Sequence, residues 1–377
     1  MAHPVRRFTK GTFVLINFMV AIGFLLGSYG YLLNPTQYWY IGFFTLGAFY
    51  MLLFLIAFLF FWLLVKPRFM LISLAAIILA WVPIQHLIRL RVNSEFDVKK
   101  NPETLRVMSW NVEHFKIAEH KTNPQEKADM FRLINMYQPD VACFQEMVAS
   151  DSVPSAINYL PDIAKEINMP YYYYSYNRKL DYDKDHRFGI IIFSRHPILN
   201  KKSISYGPND YNSIFQYADI RFANDTVRIF NLHFQSLRFS NEDIQYIEQP
   251  SIKEEADFKR SKTVLAKFKA GFLKRQVQSE RVKNEMNKSP YAVVVCGDFN
   301  DVPNSYAYYT VGKGLQNTFN KKGAGIGRTF SHISSTLRID HIFADKRFTV
   351  TQFVRNKKKI SDHFPIVTDL TLQAPAP

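Results

Sequence analysis

Cysteine is nearly missing from this chain, with two in 377 residues. Cys143 and Cys296 sit in separate apolar runs without metal-ligand spacing. That excludes a thiolate zinc site and leaves buried free thiols as the default, a disulfide being the lesser alternative. Charge is missing only locally: residues 11–33, 38–65 and 69–88 contain no Asp, Glu, Lys or Arg. About 20 such residues cross a hydrocarbon core. A soluble helix rarely stays apolar on every face for this long, which argues against three buried soluble helices. The first run exceeds a signal-peptide h-region and two more follow it, so a cleaved leader is the poorer reading. Arg6-Arg7 hints at twin-arginine export, but the rest of that signal is absent. Internal repeats are absent as well. Residues 1–92 are therefore expected to be a membrane anchor of three transmembrane helices.

Arg6, Arg7 and Lys10 precede the first span, and Lys66 and Arg68 separate the second from the third. The turn at 34–37 carries no charge. The positive-inside rule places the N-terminus and the Lys66 loop in the cytoplasm. Three crossings then put the rest of the chain outside an inner (cytoplasmic) membrane, on the periplasmic side. Arg89 and Arg91 oppose this weakly. The third span is the weakest, with Pro83, Gln85 and His86 near its end; if it fails to cross, the large domain is cytoplasmic. A net charge of +15 is compatible with nucleic acid, anionic lipid or solubility alone.

Residues 93–103 read as a polar linker and 373–377 as a disordered tail. Between them, short apolar strands alternate with amphipathic helices. Strands are expected at 105–112, 140–146, 188–194, 216–222, 226–234, 292–298, around 337–343 and at 361–370. Helices are expected at 124–137 and 254–288. Apolar runs keep ending in, or opening from, residues able to bind metal or phosphate: Asn111, Glu146, His233, Asp298, Asn300, Asp340 with His341, and Asp362 with His363. Each has a bland reading alone: a strand-end cap, a surface carboxylate, a satisfied core histidine, a turn. Coincidence in this order is the harder explanation.

The motifs SWNVEHF, FQEM, FGIIIFSR, NLHF, CGDFND, RIDHIF and SDHFPI, taken in order over roughly 104–370, resemble those of the endonuclease/exonuclease/phosphatase superfamily. That group includes deoxyribonucleases, abasic-site endonucleases, sphingomyelinases and inositol-polyphosphate phosphatases. The resemblance implies an α/β (α+β) four-layer sandwich over 104–372: two packed mixed β-sheets flanked by helices, with the site at one end. It also implies a Mg²⁺ or Mn²⁺ cofactor held by Glu146, Asp362 and Asn111, hard oxygen ligands suited to such ions. Asp298 and Asn300 would orient the attacking water. Asn111, Asn300 and His233 would contact phosphate, and Asp340 would fix the tautomer of His363.

The pattern departs from the deoxyribonuclease branch in two places. The acidic partner of the His233-type residue is not obvious among Asp181, Asp183 and Asp185. Met147-Val148 also stands where DNA enzymes often carry a basic residue. Arg187, Arg195 and Arg238 could contact phosphate. The expected protein is a membrane-anchored phosphodiesterase, nuclease-like on DNA or RNA, with a lipid or inositol-phosphate phosphoesterase as the alternative. An inactive binding module on the same scaffold is the rival from another class. No obligate protein partner is evident.

Overall fold

The computed structural model describes residues 4–91, 95–119, 122–150, 159–181, 186–206, 214–250 and 255–373. The N-terminal part is helical: α1 (Pro4–Ser28), α2 (Pro35–Tyr38), α3 (Ile41–Val65), α4 (Met70–Leu79) and α5 (Trp81–Leu87). α1 and α3 pack antiparallel, with Phe13 stacked on Phe61 at 5.4 Å at one end. At the other end a Cβ on Gly27 would lie 2.2 Å from the Phe44 carbonyl oxygen, so only glycine permits this approach. α4 rises beside α1. Ser73 Oγ donates to Asn17 Oδ1 at 2.8 Å, and further up Tyr29 Oη donates to the Leu79 carbonyl at 2.6 Å.

Among the described residues two helices are long and apolar enough to cross a membrane, over Phe8–Ser28 and Ile41–Val65. The third expected span is not one straight helix. It bends by 69° between α4 and α5, and Pro83 one turn into α5 explains why no ladder runs through the break.

The described residues beyond it form twelve strands: β1 (Leu105–Asn111), β2 (Val141–Ala149), β3 (Tyr171–Asp181), β4 (Arg187–Ser194), β5 (Ile198–Ser205), β6 (Ile214–Phe222), β7 (Asp225–His233), β8 (Ala292–Asp298), β9 (Gln316–Asn317), β10 (Asp340–Ala344), β11 (Phe348–Arg355) and β12 (Ile366–Leu372). Its helices are α6 (Pro124–Tyr137), α7 (Leu160–Glu166), α8 (Asn241–Glu248), α9 (Glu255–Met286), α10 (Tyr306–Gly312) and α11 (Thr318–Lys322). Two six-stranded mixed sheets form, in the orders β11-β12-β1-β2-β4-β3 and β5-β6-β7-β8-β10-β9. Each has one parallel pair at its centre, β1 with β2 and β7 with β8.

The sheets face each other across a core that includes Val107, Cys143, Ile192, Ile229, Val294, Cys296 and Ile366. Both cysteines are free and buried there. α6 and α7 cover the outer face of the first sheet through Met130, Ile134 and Ile163. α9 and α10 cover that of the second through Val282, Met286 and Tyr308. The four layers expected from the sequence are therefore present. The central strands β1, β2, β7 and β8 are buried on both faces over most of their length, which is why they read as near-continuous apolar runs.

The segment before β1 is tied down rather than free. Arg106 donates to the carbonyls of Asp97 and Val98, and Asp97 N–H to Gln352. Asn93 and Ser94 of the expected linker, and 374–377 of the expected tail, lie outside the described residues.

The helical part docks on the sandwich. Tyr31 stacks on Tyr309 at 4.2 Å, and Phe43 packs against Phe268 and Phe272. Asn304 donates to the Pro83 carbonyl at 3.0 Å, and Arg338, buried in this contact, donates to the His86 carbonyl. Arg89 and Gly325 exchange backbone hydrogen bonds.

Candidate active site

Strand register builds the site. In the second sheet His233 on β7 pairs with Asp298 on β8, and Asp298 pairs with Asp340 on β10. Three reactive side chains thus stand in one row at one sheet end. Gly297 lets the row close up. Its φ is +147°, and a Cβ there would lie 1.9 Å from the Leu232 carbonyl oxygen, so the residue before Asp298 has to be glycine.

The first sheet supplies Asn111 from the end of β1 and Glu146 from β2. Glu146 does not end its strand, as its position after FQ suggested. It sits within β2 at a register shift, with φ +54°. Such left-handed backbone in a non-glycine residue is costly and persists where the fold enforces it. Asn300 has φ +49°. The turn before β12 adds Asp362 and His363.

The eight expected residues converge. Asn111 Nδ2 donates to Asp298 Oδ2 at 3.2 Å. Asn300 N–H donates to Asp298 Oδ1 at 2.8 Å, while its amide donates to the Phe234 carbonyl at 3.0 Å. His363 Nδ1 lies 2.8 Å from Asp340 Oδ2, and its Nε2 lies 3.7 Å from Asp298 Oδ2. His233 Nε2 is 3.5 Å from Asp298 Oδ2 and 3.7 Å from Glu146 Oε1. Glu146, Asp298, Asn300, Asp362 and His363 share one cleft of roughly 370 Å³.

Burial and charge set the protonation of this cluster. Burial disfavours the His363 imidazolium, but Asp340 and Asp298 outweigh it and hold its pKa well above the usual value. His233, deeper and mainly desolvated, is lowered to about 4 despite Asp298. Glu146 is raised to about 7 by burial and by Asp362. Its side chain is about one-fifth exposed, so solvent reaches one edge of a carboxylate otherwise enclosed by protein. Burial also raises Asp298.

The sequence reading missed several supports. Glu113 Oε2 accepts the Asp362 N–H at 3.0 Å, and Ser361 Oγ donates to the Asn111 carbonyl at 2.8 Å. Trp110 Nε1 donates to the His363 carbonyl at 2.9 Å, and Thr329 Oγ1 accepts the Ile339 and Asp340 N–H groups. Trp110, Glu113 and Ser361 lie inside the quoted motifs, so their polar atoms beside site residues were the available signal. Thr329 lies outside every motif.

Other candidates fall elsewhere. His341 points to the opposite face of β10, against Phe299 and Tyr308, where burial holds its pKa well below the usual range. Asp301, the last residue of the CGDFND motif, faces Arg275 at 3.2 Å. Arg195 lies beyond the far end of β4, donating its N–H to the Asp140 carbonyl, whereas Arg238 lines the cleft. Asp183 and Asp185 lie outside the described residues, as does the side chain of Asp181. Among the described residues, the carboxylates nearest His233 are Asp298 and Glu146.

Residues 108–363 match the Endonuclease/Exonuclease/phosphatase family. The chain belongs to that family. Residues 10–87 match a domain of unknown function. No curated protein matches. An endonuclease/exonuclease/phosphatase family protein from Bacteroides thetaiotaomicron is 17% identical, with a TM-score of 0.50, covering 72% of this chain and 98% of its own. The mannosyl-6-phosphatase Bt3783 of the same organism is 18% identical (TM-score 0.47; 71% and 99% covered). The human Nocturnin catalytic domain with bound sulfate is 16% identical (TM-score 0.47; 72% and 94% covered). At these identities the family's fold is what is shared.

Proposed function

We propose that the chain is a membrane-anchored, divalent-metal-dependent phosphoesterase. One observation carries the reading: His363, fixed by Asp340, faces Asp298 at 3.7 Å, with carboxylates of Glu146 and Asp362 on the same cleft. The donor set fits a hard cation. Burial, and after it repulsion from Asp362, raises Glu146 to about 7, and a divalent ion would favour both carboxylates in their charged form. Asn111 completes the oxygen set. A second possible group, Asp298, Asp340 and His363, suits an ion less well. Its imidazole is hydrogen-bonded to Asp340 and holds its proton, and a metal needs the neutral ring. When bound, the ion would neutralise phosphate charge.

The protein groups do the rest. Water oxygen bonds to phosphorus, the ester P–O bond breaks, and the water's proton ends on the departing alkoxide. Asp298, held by Asn111 and the Asn300 N–H, is the carboxylate placed to accept that proton first. The His363 imidazolium stabilises the charge building on the phosphoryl oxygens. His233, neutral above pH 4 or so, donates a hydrogen bond without adding charge.

The docking of the helices supports an extracytoplasmic site. Lys66 and Arg68 follow α3 at the end where Phe13 meets Phe61. The sandwich meets the other end, through Tyr31, Thr36 and Phe43. α4 with α5 connects the two ends. Positive flanks in the cytoplasm then leave the sandwich outside. Residues exposed on the helices, among them Phe18, Met19, Phe54, Phe60 and Leu64, form the apolar belt that lipid would cover.

The test uses the full chain in detergent with bis(4-nitrophenyl) phosphate and a DNA oligonucleotide. Hydrolysis that stops in chelator and returns with Mg²⁺ or Mn²⁺ supports the reading; hydrolysis unchanged by chelator overturns the metal role.

A further inference from the structure

We infer that α3 is a wall of the active site and that the substrate is a lipid phosphoester, its apolar chain lying against this helix. The inference rests on the phosphoesterase reading and names its substrate. Leu46 and Tyr50, both on α3, line the same cleft as Glu146, Asp298 and His363. The wall facing the catalytic end is apolar: Leu237, Phe239, Phe330 and Ile333 join the two α3 residues. Tyr50 Oη lies 2.7 Å from Ser334 Oγ, which joins the helix to the loop that closes the cleft.

A nucleic-acid strand calls for a basic track with aromatic stacking faces along the backbone path. Among the described residues two arginines line the cleft, Arg238 and Arg275, and Arg275 is buried against Asp301. A carboxylate and histidine centre with an aliphatic and aromatic corridor behind it matches a single phosphate carrying an apolar chain.

The corridor is also continuous with the apolar belt. Tyr50, Leu53 and Phe54 are exposed in succession on α3. Leu53 is seven residues below Leu46, about 10 Å along a helix. A lipid in the adjoining leaflet can bring its phosphate to His363 without withdrawing its chain into water, and withdrawal is the step that costs most for a long chain.

The test compares two chromogenic diesters with one reacting bond, methyl 4-nitrophenyl phosphate and hexadecyl 4-nitrophenyl phosphate, in the same mixed micelles with the full chain. The hexadecyl ester is expected to show a kcat/KM higher by roughly tenfold or more. Leu46→Ser and Tyr50→Ala should bring that ratio toward one. Ile333→Ser on the facing loop gives a second handle if the α3 variants insert poorly. Equal rates for the two esters in the wild type overturn the inference alone. So does a ratio untouched by all three variants, or a DNA oligonucleotide cleaved far better than either ester. If neither ester nor DNA is hydrolysed with metal present, the phosphoesterase reading falls and the inference with it.

Discussion

The two sheets share a plan and differ in what they bring to the site. Each has six strands around one parallel pair, and each offers the ends of that pair to the cleft. The first sheet contributes Asn111 and Glu146, an amide and a carboxylate. The second contributes His233, Asp298 and Asp340, an imidazole and two carboxylates that each face one. The turn before β12 joins them, with Asp362 toward the first set and His363 toward the second. On the proposed reading, one half of the sandwich would neutralise phosphate charge and the other would handle protons.

Substitutions in the second sheet's set should do the most damage. His363→Ala and Asp298→Asn are each expected to cut turnover by roughly a hundredfold or more, with melting temperature nearly unchanged. A variant of either that keeps full activity would remove the proton-handling half. Asp340→Asn should act in the same direction and more mildly, since the imidazole loses its orienting carboxylate and not its place.

Glu146→Gln tests the other half. The expected result is a Mg²⁺ or Mn²⁺ activation midpoint raised by about tenfold or more, read by metal titration. His233→Ala should cost about tenfold, less than His363→Ala, because a neutral ring gives up a hydrogen bond and no charge. A loss equal to that of His363→Ala would mean that the centre uses two equivalent histidines.

The smallest effect expected is on stability. Glu146 has a folded pKa near 7 against an ordinary 4.5, so in chelator its contribution is fully present below about pH 4.5 and is lost as pH rises through 7. Added Mg²⁺ should therefore raise the melting temperature by a few degrees more at pH 8 than at pH 5, and Glu146→Gln should flatten that difference. A metal-induced shift equal at both pH values would take Glu146 out of the ion's surroundings.

The sequence revealed the interior better than the edges. Every strand expected from it lies inside a sheet. The four it missed, β3, β5, β9 and β11, are the four edges. Edge strands have one neighbour and show more surface: β5, ILNKKSIS, is mostly exposed, and the Tyr171–Tyr176 stretch of β3 alternates nothing that periodicity can detect. The site was legible because its residues fall in short motifs at strand ends. Its apolar wall was not. Leu46 and Tyr50 are two among dozens of apolar residues in a helix whose composition announces a membrane span, and composition says nothing of what one turn of it touches. The break at Ala80 was foreshadowed by Pro83, but the docking that follows it, with Arg338 reaching the His86 carbonyl, depends on residues far apart in sequence.

That docking changes what a truncated protein would be. Cutting the chain before residue 93 removes the partners of Tyr309, Phe268, Phe272, Asn304 and Arg338 together. It leaves an apolar face uncovered and takes from the Arg338 guanidinium one of its carbonyl partners, leaving it that of Ile326. It also removes one side of the cleft. A fragment starting at residue 93 could keep all eight site residues and still report the selectivity of an open trough, so substrate preference measured on it would describe the fragment and not the full chain.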